Sequence, residues 1–98
     1  MPEAHAFHSA ATHGFVRVAA ATPVVHIADP VANAAEHEAL IRQAGAEGVD
    51  LLVFPELSLS GYAIDDLLMQ DALLVAVERQ IGHLAGVAGE AGVVAVVG

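Results

Sequence analysis

The stretch DLLVFPELSLSGY, residues 50 to 62, packs an apolar run, a Pro-Glu pair and a Gly-Tyr turn into consecutive positions. Leu51, Leu52, Val53 and Phe54 show no apolar–polar alternation, the pattern of a strand covered on both faces of a parallel sheet. Pro55 stops that strand, because proline has no N–H to give to a ladder. Glu56 then stands just beyond the strand's carboxyl end, where open α/β sheets collect their functional groups. Leu57 and Leu59 are placed to wall it, and the expected partial desolvation would suit a general base. A glutamate here is either a solvated loop carboxylate or the working group of a site, and spacing by itself leaves both open.

Upstream, FVRVAAAT at 15 to 22 sets Val16, Val18 and Ala20 on one face and reads as a first strand, ended by Pro23. Asp29-Pro30 is a helix start, with Asp as N-cap and Pro at the first helical position. The helix is expected over 30–47, with Ala34, Leu40, Ile41 and Ala44 as its buried stripe and Gly48 as its stop. His37 lies at the edge of that stripe and reads as a packed or solvated histidine.

Downstream, a loop runs from Pro55 to Ile64. Asp65 or Asp66 caps a short helical turn, a better account than a metal pair, since no third ligand lies at useful spacing. Asp71 opens the next helix, in which Leu74, Val77, Ile81, Leu84 and Ala88 recur at helical spacing. Asp71 and Glu78 form a solvated acidic stripe, and His83 sits at the rim. Gly89 and Gly92 are expected to loosen the backbone before a third strand, VVAVV at 93 to 97. With Gly86 they form no phosphate loop, since no Lys-Ser/Thr follows them. The β-α-β-α-β order predicts an α/β fold with parallel strands and right-handed crossovers. A strand as apolar as 93–97 calls for neighbours and a covering helix. The expectation is therefore an incomplete domain: a flexible leader at 1–14, then residues 15–98 as the N-terminal portion of a larger unit.

Composition limits the rest. With 98 residues there is room for one small domain, and 56% of them are hydrophobic, which rules out a disordered chain. The formal charge of −9 sets a field that repels nucleic acid and anionic membrane surfaces. With no cysteine there is no disulfide, thiolate metal site or cysteine nucleophile within this chain. The leader carries Glu3 and no basic residue, unlike a secretory signal. Its His5, His8 and His13 read as a solvated tail rather than a metal site. The run from Phe15 to Ile27, broken by Arg17 and Pro23, is short of the ~20 apolar residues a membrane span needs. The chain reads as soluble.

VFPELSLSGYAIDDLLMQDALL, residues 53 to 74, closely resembles the first catalytic motif of the nitrilase, or carbon–nitrogen hydrolase, superfamily. The continuation IDDLLMQDALL, with HGFVRVAA at 13 to 20 and DPVANA at 29 to 34, is similar to the glutaminase domain of actinobacterial glutamine-dependent NAD synthetases. The resemblance implies a partial α-β-β-α sandwich. It also implies a Glu-Lys-Cys triad that hydrolyses glutamine and passes the ammonia to an ATP- and magnesium-dependent synthetase domain acting on deamido-NAD. Glu56 matches the family's general base, Tyr62 the tyrosine lining the glutamine pocket, and Phe54 and Pro55 the framework. The triad lysine and cysteine have no counterpart, because neither residue type is present. By itself, then, this chain is expected to be inactive, and no residue in it is assigned to ATP or a metal. The resemblance further implies a cytoplasmic homo-oligomer. The alternatives are a stand-alone nitrilase-type amidase and a non-catalytic α/β interaction module.

Overall fold

The structure is a computed structural model that describes residues 14–61 and 70–98. The leader histidines, Tyr62, Asp65 and Asp66 lie outside the described residues. Five elements follow in the expected order: β1 (Val18–Ala20), α1 (Pro30–Ala46), β2 (Leu51–Val53), α2 (Asp71–Ala91) and β3 (Val94–Val96). The sheet order is β1-β2-β3 and both pairings are parallel, with Val18, Leu51 and Val94 in register.

Local chemistry accounts for the boundaries. The Asp29 carboxylate accepts the Ala32 N–H at 3.1 Å, and Pro30 fills the first turn of α1 without wasting a donor. At the far end the Arg17 guanidinium donates to the Glu47 carbonyl at 2.9 Å, and Gly48 takes a left-handed φ of 78°. Helix α2 ends where Gly92 adopts φ 72° and its N–H reaches the Ala88 carbonyl. Gly89, expected to loosen the chain, is instead an ordinary residue of that helix. It is one of three glycines, with Gly82 and Gly86, in this 21-residue helix, each costing only about 1 kcal/mol relative to alanine.

Ala34, Ile41 and Ala44 of α1 meet Leu52 and Phe54 below and Leu84 and Val87 of α2 beside them. Fully burying a side chain such as Ile41, Leu59 or Leu84 contributes roughly 2 kcal/mol each. The two helices approach closely at Gly45, where a Cβ would lie 2.7 Å from the Ala91 carbonyl oxygen. Above this seam Glu38 takes His83 at 2.8 Å and Arg42 at 3.1 Å, and Arg42 reaches Glu90 at 3.0 Å. These exposed pairs add little stability, but they account for His83 as a rim residue.

Two expectations are corrected. Of the α2 stripe, Leu84 is buried and Val77 and Ala88 partly so, whereas Leu74 and Ile81 are over 40% exposed. Leu73, Ala76 and Val77 of the first half are half-buried, with Leu73 and Ala76 lining a pocket beside Pro30 at the start of α1, so Leu74 and Ile81 lie at the edge of the covered face rather than beyond its end. Among the described residues the strands are covered on one face rather than the two that the unbroken run Leu51–Phe54 suggested, as befits the incomplete domain expected. Leu52 and Phe54 point into the helical layer, while Val18, Val53, Val94 and Val96 are exposed on the other side.

Candidate active site

Glu56 stands just past the carboxyl end of β2, as its place in the sequence implied, and the fold brings the end of β3 to the same point. Gly98 lies directly against the turn. A Cβ added to it would run into the Pro55 carbonyl oxygen and come within 2.6 Å of the Leu57 nitrogen and 2.7 Å of the Glu56 Cα. The turn closes on itself through Ser58 N–H to Pro55 C=O at 3.3 Å and Gly61 N–H to Leu57 C=O at 2.8 Å.

The expected desolvation of Glu56 is not met. The side chain is exposed, and Leu59, one of its intended walls, is fully buried in the core instead. The chain turns inward after Leu57, so that Ser58, Leu59 and Ser60 are all buried while Glu56, ahead of that point, faces out.

That geometry is strained. Leu57 takes φ 58°, left-handed backbone that a branched side chain adopts only when its surroundings over-determine it, at a cost of about 1–3 kcal/mol. The surroundings here are polar and buried. The Asn33 side chain accepts the His26 N–H at 2.6 Å and donates to the carbonyls of His26 at 2.8 Å and Leu59 at 2.9 Å. One turn along α1, His37 places Nδ1 2.6 Å from the Asn33 carbonyl and Nε2 2.8 Å from Ser58 Oγ. A carbonyl only accepts, so Nδ1 carries the proton, and in the neutral ring Nε2 accepts from the Ser58 hydroxyl. The same ring packs on Phe54, centroid to centroid 4.2 Å. Asn33, His37 and Ser58 are all fully buried, and none of the described buried side-chain polar atoms lacks a partner.

The far end of the turn is pinned by close approach. Gly61 has φ 99°, and a Cβ there would lie 2.8 Å from the His26 carbonyl oxygen and 3.0 Å from the Ala28 nitrogen. Both contacts are to backbone and cannot swing away. Gly61→Ala is accordingly expected to destabilise the fold by about 2 kcal/mol or more, seen as a lowered urea midpoint.

Sequence reasoning placed His37 at the edge of the α1 stripe and did not single out Asn33 or Ser58. A signal was available. Asn33, Ala34, His37, Ile41 and Ala44 share one helical face, so two polar residues sat in the apolar stripe. Buried polar groups there must find partners.

Burial lowers the His37 pKa below its ordinary 6.5, the hydrogen bond to Asn33 opposing this in part. Between the two values the unfolded chain holds a proton that the folded chain excludes. Stability therefore falls as pH drops through 6.5, and the loss levels off below the folded pKa. Urea midpoints are expected to decline across that window, and less steeply in His37→Gln, which removes the titration.

The carbon-nitrogen hydrolase family model matches residues 16–98, a region that takes in all five elements and the Glu56 turn. The chain belongs to the carbon-nitrogen hydrolase family. Among curated relatives this carbon-nitrogen hydrolase chain is 57% identical over 72 residues to the glutamine-dependent NAD(+) synthetase of Mycobacterium tuberculosis, matching 74% of itself and 11% of that protein. It is 52% identical over 75 residues to the synthetase of the same name from Mycobacterium leprae, covering 76% and 11%. The Xylella fastidiosa synthetase is 41% identical over 85 residues, covering 86% and 15%. The chain thus spans between a tenth and a sixth of the length of these relatives.

Proposed function

We propose that this segment supplies the general base of a glutamine-hydrolysing domain, within a protein that amidates deamido-NAD to NAD. The observation that carries the reading is the Glu56 turn: an exposed carboxylate on strained backbone, at the converging ends of β2 and β3, anchored from beneath by buried polar groups. The mycobacterial identities support the substrate assignment.

In this reading Glu56 accepts the thiol proton of a cysteine as its sulfur attacks the carbon of the glutamine side-chain amide. The proton is then handed to the departing nitrogen, which leaves as ammonia. A water deprotonated by the same carboxylate opens the thioester and releases glutamate. The nucleophile and its lysine partner come from outside this segment, which contains neither residue type. Tyr62 is assigned to the wall of the glutamine pocket.

ATP and magnesium belong to the amidation of deamido-NAD. Among the described residues no group of three His, Asp or Glu side chains is placed to hold a metal ion, so no step here is routed through them. No helix among those residues is long and apolar enough to cross a membrane; the assignment to the cytoplasm rests on the resemblance alone. The assembly is assigned as a homo-oligomer on the resemblance alone.

The test is a transplant. Residues 16–98 replace the matching part of the Mycobacterium tuberculosis synthetase, and NAD formation is measured with glutamine and, separately, with ammonium as nitrogen donor. Retained glutamine-driven synthesis is expected. A chimera that works with ammonium but not with glutamine would overturn the proposal.

A further inference from the structure

We propose that His37 is a positioning residue for Glu56, acting through the Ser58 hydroxyl to set the conformation of the turn that carries the carboxylate. The inference rests on the reading of Glu56 as the general base and adds a residue to it.

Three observations converge. First, Leu57 is held at φ 58° immediately after Glu56, so the carboxylate's direction depends on a backbone conformation the chain would not adopt unaided. Second, the side-chain hydrogen bonds made by the turn's own inward residues at 2.8 Å and 2.9 Å run to α1: Ser58 Oγ to His37, and the Leu59 carbonyl to Asn33. Third, the His37 ring is locked on three sides. Its Nδ1–H is committed to the Asn33 carbonyl, its Nε2 to Ser58 and its face to Phe54, the last residue before Pro55. The imidazole therefore grips both the strand leading into the turn and the residue two places past Glu56.

This arrangement is more specific than packing. An apolar side chain of similar volume would fill the same space against Phe54, but would leave the Ser58 hydroxyl without its buried acceptor and free the turn to relax at Leu57. A shift of about 1 Å in a catalytic group can cost on the order of a hundredfold in rate. A partial release through one lost hydrogen bond is expected to cost about tenfold.

The experiment uses the full-length chimera. Ser58→Ala removes the hydroxyl with minimal change of volume. His37→Asn keeps a donor at the Nδ1 position and loses the link to Ser58, and His37→Gln places an amide oxygen where Nε2 accepts. Glutamine-driven kcat is expected to fall about tenfold in Ser58→Ala and His37→Asn. The glutamine KM and the ammonium-driven rate should stay near the parent values, with most of the kcat recovered in His37→Gln.

Parent-like glutamine-driven kcat in both Ser58→Ala and His37→Asn would overturn the positioning role. An equal fall in the ammonium-driven rate would overturn it too, since that marks a general folding defect. Glu56→Gln separates this from the underlying reading. If it retains glutamine-driven activity, the assignment of the base fails and the proposal with it. If it is inactive while Ser58→Ala is unimpaired, only the positioning role fails.

Discussion

Glu56→Gln in the chimera is expected to abolish glutamine-driven NAD formation while leaving the ammonium-driven reaction at the parent rate. The substitution keeps the shape of the side chain, and the residue is exposed, so nothing in the core is disturbed. What disappears is the ability to take a proton from the attacking thiol. A positioned general base contributes on the order of 10²–10⁴-fold, and base and nucleophile fail as a unit. The loss should therefore reach the upper part of that range. Ammonium bypasses the hydrolysis, which makes the two rates in one preparation an internal control. Equal loss of both would point to misfolding, and loss of neither would return Glu56 to a solvated loop carboxylate.

The largest expected effect on stability is at Asn33. Asn33→Ala removes both partners of the His26 backbone and the partner of the Leu59 carbonyl. A buried group left without its hydrogen bond costs about 1–3 kcal/mol, and the His26 groups regain some of theirs from water because that site is only part-buried. A total of about 3 kcal/mol is expected, a large share of a small domain's stability. Asn33→Asp tests whether the hydrogen bonds or the packing matter. It preserves the volume and the acceptor toward His26 N–H, but turns a carboxylate toward two carbonyls, so it should be at least as damaging. Urea denaturation followed by circular dichroism reads both. A fully stable Asn33→Asp would show that side-chain volume, rather than bonding, holds the turn.

The gains and misses of sequence reasoning separate along physical lines. Asp29, Pro30, Gly48 and Gly92 each act within one or two turns of chain, and each does what its local chemistry dictates. The unbroken run Leu51–Phe54 implied a parallel strand, and the pairing is parallel. The stripe of α2 was less legible, because period identifies an apolar face but not which edge of it a neighbour covers. That is why Leu84 and Val77 are covered while Ile81, between them at the edge of the same stripe, is exposed.

At the site, the position of Glu56 was legible and its environment was not. Residue type and place after a strand are properties of the chain. Exposure depends on which way a turn folds, and that follows from contacts between residues far apart in sequence: Ser58 with His37, Leu59 with Asn33, Gly61 with His26, and Gly98 with Pro55.

By itself, then, the sequence determined the order and kind of the elements, the parallel sheet and the carboxylate beyond the central strand, because each rests on local conformational preference or apolar periodicity. Only the tertiary structure decided that Asn33 and His37 turn inward beneath that carboxylate, that Leu57 is held in left-handed backbone, and that Val18, Val53, Val94 and Val96 are exposed on one face of the sheet. Those outcomes depend on which distant groups meet, and a buried hydrogen bond can be formed only after the fold has brought its two ends together.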